Sequence, residues 1–277
     1  MSTAAIPQNE PNESDLLVPL EIQHIPADYR EYYKAKRGNF LANVQSSGIW
    51  KAYILLDKLW LREFDDLKPS NSPSGFFPLI LFMNAHAKMR VSMELGFSGC
   101  MAEARSLLRD AVECVAHGHR MLADPELQKT WLSKNDGKAA LEAFKDAFVR
   151  QKKKGLFKGL EELYEWWRQL SETGSHSTIN AMCDRFIWKE SEKEVEWRLN
   201  YCGVEPQTWA MSLFSMLLTC FSMERTMFCD YETRLKLDDG LLRMRTEFER
   251  HKEGMRRNFI LRFGIKQPSA RPLIHRP

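Results

Sequence analysis

The chain has 277 residues, of which 44% are hydrophobic and 28% charged, with only 14 Gly and 12 Pro; this composition excludes a chain dominated by linkers or repeats. The formal net charge is +3, but residues 241–277 carry ten Lys and Arg against three Glu, so the basic character is local to the C-terminus. Six widely spaced cysteines without a C-x-x-C pair, and an N-terminus without signal-peptide features, predict a cytoplasmic protein with reduced thiols.

The domain organisation follows from where apolar periodicity begins and ends. Residues 1–28 contain four prolines and little periodicity, which predicts a disordered N-terminal tail. Residues 29–260 show repeated helical periodicity with short loops, which predicts a single helical domain. The remaining residues, 261–277, are interpreted as a basic C-terminal tail.

The first two core helices are separated by a segment rich in Ser and Pro. Apolar residues recur at helical spacing in 43–64, with Ser46 or Ser47 as the N-cap. Residues 68–75 have the composition of a loop, and Pro78 suits the first turn of a helix that runs to about Leu95. Gly96 to Gly99 then form a tight connection, which predicts an antiparallel pairing with the next helix.

That next helix, at about residues 100–123, is predicted to be the buried centre of a multi-helix bundle. Its apolar face contains Ala104, Leu108, Ala111, Val112, Val115, Gly118, His119 and Leu122. Its other side carries the polar stripe, which we define as Arg105, Arg109, Glu113, His117 and Arg120. From sequence alone the polar stripe is either a solvated edge or the wall of a cleft.

The second half of the chain is also predicted to be mostly helical. Helices are expected at 125–132, 138–153 and from Leu156 towards His176, where small residues allow close approach by another helix. Period-two alternation predicts one small β-hairpin near 184–201. Helices follow at 207–236 and 241–260, so the predicted fold class is all-α. The last helix has a narrow seam that is expected to dock on the body or pair in a dimer: Leu241, Met244, Phe248, His251 and Met255.

Several features have plain structural interpretations. Residues 206–223 form an eighteen-residue uncharged run, but small polar residues line one side of it, which favours a core helix over a membrane span. His117 and His119 point about 200° apart on a helix, so they cannot hold one ion together. His119 and His86 are interpreted as core histidines with one hydrogen-bonded nitrogen, and Cys114 as a structural thiol. No metal and no cofactor is assigned.

Two arginine–histidine pairs are the candidate catalytic residues. Arg109 and His117 lie on the predicted central helix, and Arg168 and His176 flank the end of a later one. A fixed cation beside a group that titrates near neutral pH is suited to metal-independent RNA cleavage. In the alternative interpretation the arginines make ordinary helix-surface ion pairs, Arg109 with Glu113 and Arg168 with Glu161 or Glu172.

Short motifs within about residues 80–180 resemble a known group. The pattern A-x-x-L-L-R-D-x-x-E (Ala104 to Glu113), D-P-E-L, and L-Y-E-W-W-x-x-L-S-E-x-x-S-H (Leu163 to His176) resembles an uncharacterised group of helical bacterial proteins with some HEPN-like character. HEPN ribonucleases place a His four to six residues after an Arg and a polar residue. Arg109-Asp110 matches the start, but seven residues separate Arg109 from His117, and the same number separate Arg168 from His176.

The expected function is an intracellular interaction or regulatory module, and the resemblance implies a bacterial defence or toxin–antitoxin-like setting. The alternative is a HEPN-like, metal-independent ribonuclease that uses an Arg/His pair. Expected partners are another protein or a second copy of the chain, with RNA as the alternative and no membrane. The residues expected to contact a partner or nucleic acid are Arg105, Glu113, Arg120, Arg256 and Arg257.

Overall fold

The structure, a computed structural model, describes residues 26–67, 73–150, 153–175, 186–190, 195–199, 201–203 and 206–263. Most of these residues are in helices. The predicted all-α multi-helix bundle is confirmed. The helices in chain order are α1 (Ala27–Ser46), α2 (Gly48–Leu67), α3 (Pro73–Phe97), α4 (Met101–Ala123), α5 (Pro125–Leu132), α6 (Lys138–Phe144), α7 (Lys153–Leu156), α8 (Glu161–Leu170), α9 (Pro206–Tyr231) and α10 (Asp239–Phe263).

The chain breaks between two helices at Ser47, inside the segment 43–64 that the sequence predicted as one helix. Helix α1 ends at Ser46, and the Ser47 hydroxyl accepts a hydrogen bond of 3.1 Å from the backbone N–H of Ile49. This side-chain bond satisfies one of the free N–H groups at the start of α2, so Ser47 is the cap that the sequence proposed. Helix α1, which begins at Ala27, is an element that apolar periodicity alone did not identify.

Helix α3 begins earlier than predicted. It starts at Pro73, so residues 73–75 are helical although their composition predicted a loop, and Pro78 lies inside the helix instead of in its first turn. The backbone carbonyl of Pro78 faces α4, where a side-chain carbon added to Gly118 would lie 3.3 Å from it and 2.9 Å from the ring of Phe82. The absence of a side chain at Gly118 therefore permits the close approach of α3 and α4.

Helices α3 and α4 form the predicted hairpin. Gly99 in the connecting turn has φ +84°, a conformation that glycine adopts without strain. Helix α4 also contacts α5, α7, α8 and α9, together with a π-helical turn at Ser171–Ser175 that continues α8. Its apolar face is buried at Ala104, Leu108, Ala111, Val112, Val115 and Gly118, while His119 and Leu122 are half-buried.

A layer of short helices covers one side of α4. The helix expected at 138–153 is shorter than predicted, because α6 ends at Phe144 and a π-helical turn at Lys145–Val149 follows it. Helix α7 is a separate single turn, and Gly159 with φ +82° precedes α8. The small residues after α8 lie in the π-helical turn that packs against α4, in agreement with the close approach expected there.

The last part of the chain contributes a hairpin and two long helices. Strands β1 (Phe186–Glu190) and β2 (Val195–Leu199) pair antiparallel, with Trp188 opposite Trp197, inside the segment where the sequence predicted a hairpin. Helix α9 is largely buried, and among the described helices none is both long and apolar enough to cross a membrane. Helix α10 docks on α2 as expected, but His251 is exposed and does not belong to the buried seam.

Candidate functional site

The polar stripe of α4 is half-buried, which differs from both a solvated edge and an open cleft wall. Its residues recur every three or four positions and therefore share one side of the helix. Helices α5, α7 and α8, together with the π-helical turns at Lys145–Val149 and Ser171–Ser175, pack over this side. Each polar group of the stripe must then find a partner within the protein or lose hydration without compensation.

Glu113 is held by groups from the covering layer. Its Oε1 accepts a hydrogen bond of 2.8 Å from the indole N–H of Trp167, and its Oε2 lies 3.1 Å from the ammonium of Lys153. Lys153 also lies 5.5 Å from the centre of the Trp167 ring. Burial alone would raise the pKa of Glu113, but these hydrogen bonds lower it below its usual value. Glu113 is thus an ionised carboxylate that joins α4 to α7 and α8.

His117 lies in an aromatic enclosure. Its ring centre is 5.8 Å from that of Trp131 and 5.5 Å from that of Phe148, and these two rings are themselves 4.7 Å apart. Its Nδ1 is buried without a hydrogen-bond partner among the described residues. Desolvation lowers the pKa of His117 to about 4, so the ring is neutral at neutral pH.

Arg120 is anchored by the π-helical turn at Lys145–Val149. Its guanidinium donates a hydrogen bond of 3.3 Å to the backbone carbonyl of Ala147 and lies 5.8 Å from the centre of the Phe148 ring. Burial lowers the pKa of Arg120, although an arginine stays charged under all ordinary conditions. The same turn therefore supplies both a ring that encloses His117 and a carbonyl that receives Arg120.

Arg105 and Arg109 also have partners within the chain. Arg105 donates a hydrogen bond of 2.7 Å to the hydroxyl of Ser212 on α9. Arg109 pairs at 2.9 Å with its neighbour Asp110 instead of forming the expected contact with Glu113, while its Nε is buried without a hydrogen-bond partner in the described part of the chain. The charges that act on His117 belong to Glu113, Arg120 and Lys153. The structure therefore places no paired Arg109–His117 arrangement there.

The second candidate pair lies elsewhere. Arg168 is on an exposed side of α8, where it pairs with Glu165 at 3.1 Å and with Glu172 at 2.7 Å, as the structural interpretation proposed for Glu172. His176 lies outside the described residues. At the C-terminal end, Arg256 and Arg257 both pair with Glu253, at 3.8 Å and 3.4 Å. These are ordinary i, i+3 and i, i+4 ion pairs on a helix surface.

Two further histidines, on α3 and α4, are hydrogen-bonded as the sequence suggested. His119 contacts Asp230 on α9 at 2.8 Å, and this contact raises its pKa. His86 contacts Asp57 at 2.8 Å, and Arg90 donates two further hydrogen bonds to the same carboxylate. Burial alone would raise the pKa of Asp57, but these bonds lower it to about 2. Both histidines therefore join helices, His119 joining α4 to α9 and His86 joining α3 to α2.

The most deeply buried charges were not identified from the sequence. Glu63 on α2 and Glu224 on α9 are fully buried, and the guanidinium of Arg245 on α10 donates to both, at 3.0 Å to Glu63. The same guanidinium lies 3.5 Å from the centre of the Phe228 ring. Burial raises the pKa of both carboxyl groups, and the two lie within hydrogen-bonding range of each other.

A sequence signal for this cluster did exist. Glu63 shares a helical face with Leu56, Trp60 and Leu67, and Glu224 shares one with Leu217, Cys220 and Met227. An acidic residue in register with an apolar face is expected to be buried, and a buried acid needs a cationic or protonated partner. The combination points to a structural ion cluster that joins three helices.

The polar groups of the stripe and of the buried cluster mostly connect helices to one another. Among the described residues, no group of three or more His, Cys, Asp and Glu side chains is placed to hold a metal ion. Arg109 and His117 are on α4 and Arg168 is on α8, and the only histidine described in either candidate pair is enclosed by aromatic rings. No protein-family model matches the chain, and neither a curated protein nor a solved structure matches it.

Proposed function

We propose that this protein is a non-catalytic helical interaction module. The enclosure of His117 between Trp131 and Phe148 carries this proposal. A general acid or base must reach the proton that it transfers and must change its protonation near working pH. His117 is neutral and has a buried Nδ1, so this side chain serves packing better than proton transfer. The bacterial defence or toxin–antitoxin-like setting that the resemblance implies stays part of this proposal.

The ribonuclease alternative has weaker support. It needs an arginine and a histidine that converge on one phosphate, whereas Arg109 pairs with Asp110, and the exposed Arg168 is neutralised by Glu165 and Glu172. Incubating the purified protein with mixed RNA in EDTA, beside His117→Ala and His176→Ala, tests it directly. We expect no cleavage by any of the three proteins. Cleavage that either substitution abolishes would replace the module with an enzyme.

For the partner of this module we propose a second copy of the chain, bound through the outer face of α10. This face contains Leu242 and Thr246 beside four charged residues whose signs alternate along the helix. In chain order the charged residues are Asp239, Arg243, Glu247 and Arg250. Leu242 is 47% exposed, which leaves an apolar side chain uncovered in the middle of the face.

The alternation of sign suits an antiparallel pair of α10 helices. A two-fold axis near Met244 would place Arg243 opposite Glu247 of the partner subunit, and Asp239 opposite Arg250 of the partner subunit, so that every facing pair has opposite charges. The two copies of Leu242 would be covered in the same contact. Surface ion pairs are individually weak and screened by salt, so the dimer should weaken as ionic strength rises.

Charge reversal tests this pairing. In Arg243→Glu both copies place a carboxylate opposite Glu247, and we expect the dimer dissociation constant, measured by analytical ultracentrifugation, to rise roughly tenfold or more. Adding Glu247→Arg restores opposite charges and should restore dimerisation. Lys129→Glu, an equal charge change on the exposed surface of α5, is the matched control and should leave the constant unchanged. A wild-type protein that stays monomeric at high concentration would refute self-association through α10 and leave a different protein as the partner.

A further inference from the structure

Two cysteines that are far apart in sequence meet beside the start of α4. The sulfur atoms of Cys100 and Cys202 are 3.3 Å apart, although 102 positions separate the two residues in the chain. Cys100 immediately precedes α4, and Cys202 lies in the segment between β2 and α9. Both side chains are buried, at 3% and 8% exposure. Neither thiol has a role in the polar stripe or in the α10 face.

Backbone contacts hold the two cysteines together. The side-chain amide of Asn39 on α1 donates to the backbone carbonyl of Cys202 and, at 3.3 Å, to that of Ser98 in the α3–α4 turn. A side-chain carbon at Gly99 would lie 2.8 Å from the carbonyl oxygen of Cys202, so glycine is required where the two segments touch. The sulfur–sulfur contact therefore follows from how three parts of the chain pack, and not from side-chain rotation alone.

The surroundings make the two thiols chemically unequal. The hydrogen bond that Cys100 shares with the Cys202 sulfur lowers the pKa of Cys100 to about 7, against the opposing effect of burial. A hydrogen bond from Tyr32 and the positive charge of Lys36 act in the same direction, as does the N-terminal end of a helix. The same hydrogen bond, together with burial, raises the pKa of Cys202. Cys100 is therefore more readily deprotonated than Cys202.

We propose that Cys100 and Cys202 form a reversible disulfide on oxidation by a hydroperoxide. The Cys100 thiolate attacks the terminal peroxide oxygen, the O–O bond breaks, and the alkoxide leaves and takes up a proton to become an alcohol, or water when the oxidant is hydrogen peroxide. Cys100 becomes a sulfenic acid. Cys202 then loses its proton, its sulfur displaces hydroxide from the sulfenic sulfur, and the hydroxide and proton form water. In total two thiols lose two electrons and two protons to one hydroperoxide.

The other described cysteines differ in their surroundings. Burial raises the pKa of Cys114, Cys220 and Cys229, so each is mostly a thiol at neutral pH. Small oxidants react with thiolates and not with thiols, so oxidation should select Cys100. The bond would tie the α3–α4 turn to the segment that leads from the hairpin into α9. Closing so long a loop should raise the melting temperature by roughly 5–15 °C.

Mass spectrometry of the full chain tests the proposal. After treatment with one equivalent of hydrogen peroxide, we expect a loss of two hydrogen atoms, and a decrease from six to four in the thiols that react under denaturing conditions. Dithiothreitol should reverse both changes. Tryptic digestion without reduction should yield a peptide 91–105 linked to a peptide 199–225. The second peptide contains both Cys202 and Cys220, so the digest is repeated on Cys220→Ser, which should keep the link.

Two single variants separate the roles of the pair. Cys202→Ser should lose the link and accumulate a Cys100 sulfenic acid that dimedone traps, whereas Cys100→Ser should form neither product. Cys229→Ser, which removes a thiol outside the pair, is the control and should behave like the wild type. A wild-type protein that gains oxygen atoms at Cys100 without losing thiol pairs, forms a different link, or does not react with excess peroxide would overturn the proposal. Circular dichroism of each variant establishes that a lost link does not reflect a lost fold.

Discussion

The charged side chains in the polar stripe of α4 are less buried than those in the cluster of Glu63, Glu224 and Arg245. In the cluster two fully buried carboxyl groups share one guanidinium between three helices. In the polar stripe each side chain is half-buried, and the hydrogen-bond partners come from different helices, such as Trp167 of α8 for Glu113 and Ser212 of α9 for Arg105. The difference teaches that a conspicuous polar pattern on a helix can serve mainly to join packed helices. The charges on which stability is expected to depend most lie within apolar helix faces.

The largest effect should come from removing the cation of the buried cluster. Arg245→Ala leaves two carboxyl groups without their shared donor, and we expect the free energy of unfolding in urea to fall by about 3–5 kcal/mol. Arg225→Ala removes an exposed arginine next to Glu224 and should change it by less than about 0.5 kcal/mol. Replacing the cluster as a whole, with Glu63→Leu, Glu224→Leu and Arg245→Met, should recover most of the loss. A loss below about 1 kcal/mol for Arg245→Ala would remove the distinction between the two regions.

The second effect concerns pH and the enclosure of His117. The pKa of this histidine falls from 6.5 to about 4 on folding, so the unfolded chain binds the proton more tightly, and stability is lost as pH decreases through this window. Between pH 7.5 and pH 5 the wild type should lose about 2 kcal/mol of unfolding free energy that His117→Phe does not lose.

His119, two positions away on the same helix, is a control of opposite sign. Asp230 raises its pKa, so its stabilising contribution is present at low pH and is lost as pH rises through the folded value. His119→Gln should therefore cost more stability at pH 5 than at pH 7.5. If His117→Phe and the wild type have the same pH dependence in urea unfolding, His117 is hydrated and the enclosure does not exclude water.

The last comparison concerns one glycine on α4 and one on α10. Gly118→Ala adds a carbon 2.9 Å from the buried ring of Phe82, and we expect a loss of about 1–3 kcal/mol in unfolding free energy. Gly254→Ala adds a carbon with nothing within 4 Å, so only helix propensity changes, and we expect a gain of about 0.5–1 kcal/mol. Equal effects at the two positions would show that the α3–α4 contact relaxes easily.

Apolar periodicity was enough to predict the helices that have one clearly apolar face and one clearly polar face. The predicted limits 100–123 agree closely with Met101–Ala123, because a wide apolar face recurs at helical spacing without interruption. Helix α1 was missed because its apolar residues are scattered among charged ones, and its identity depends on contacts with α3. Such an element has no strong local pattern, since packing and not sequence period determines it.

The candidate site shows a similar limit. The sequence placed Arg109 and His117 on one helix, but it could not show that residues near 131 and 148 would cover His117, since those contacts join distant segments. The meeting of Cys100 and Cys202 is equally non-local, and no spacing rule connects two residues 102 positions apart. By contrast, the burial of Glu63 could have been predicted from the sequence, because Glu63 lies at helical spacing from Leu56, Trp60 and Leu67.

The π-helical turn at Lys145–Val149 lets the chain hold one additional residue without losing the contact with His117. A π-helical turn accommodates one residue more than an α-helical turn, and it is relaxed to regular α-helix when one residue is removed. Deleting Asp146 would therefore leave Phe148 on nearly the same side of the helix axis, facing the histidine ring. Among homologues of this chain, this segment should accept the loss of one residue more readily than an insertion.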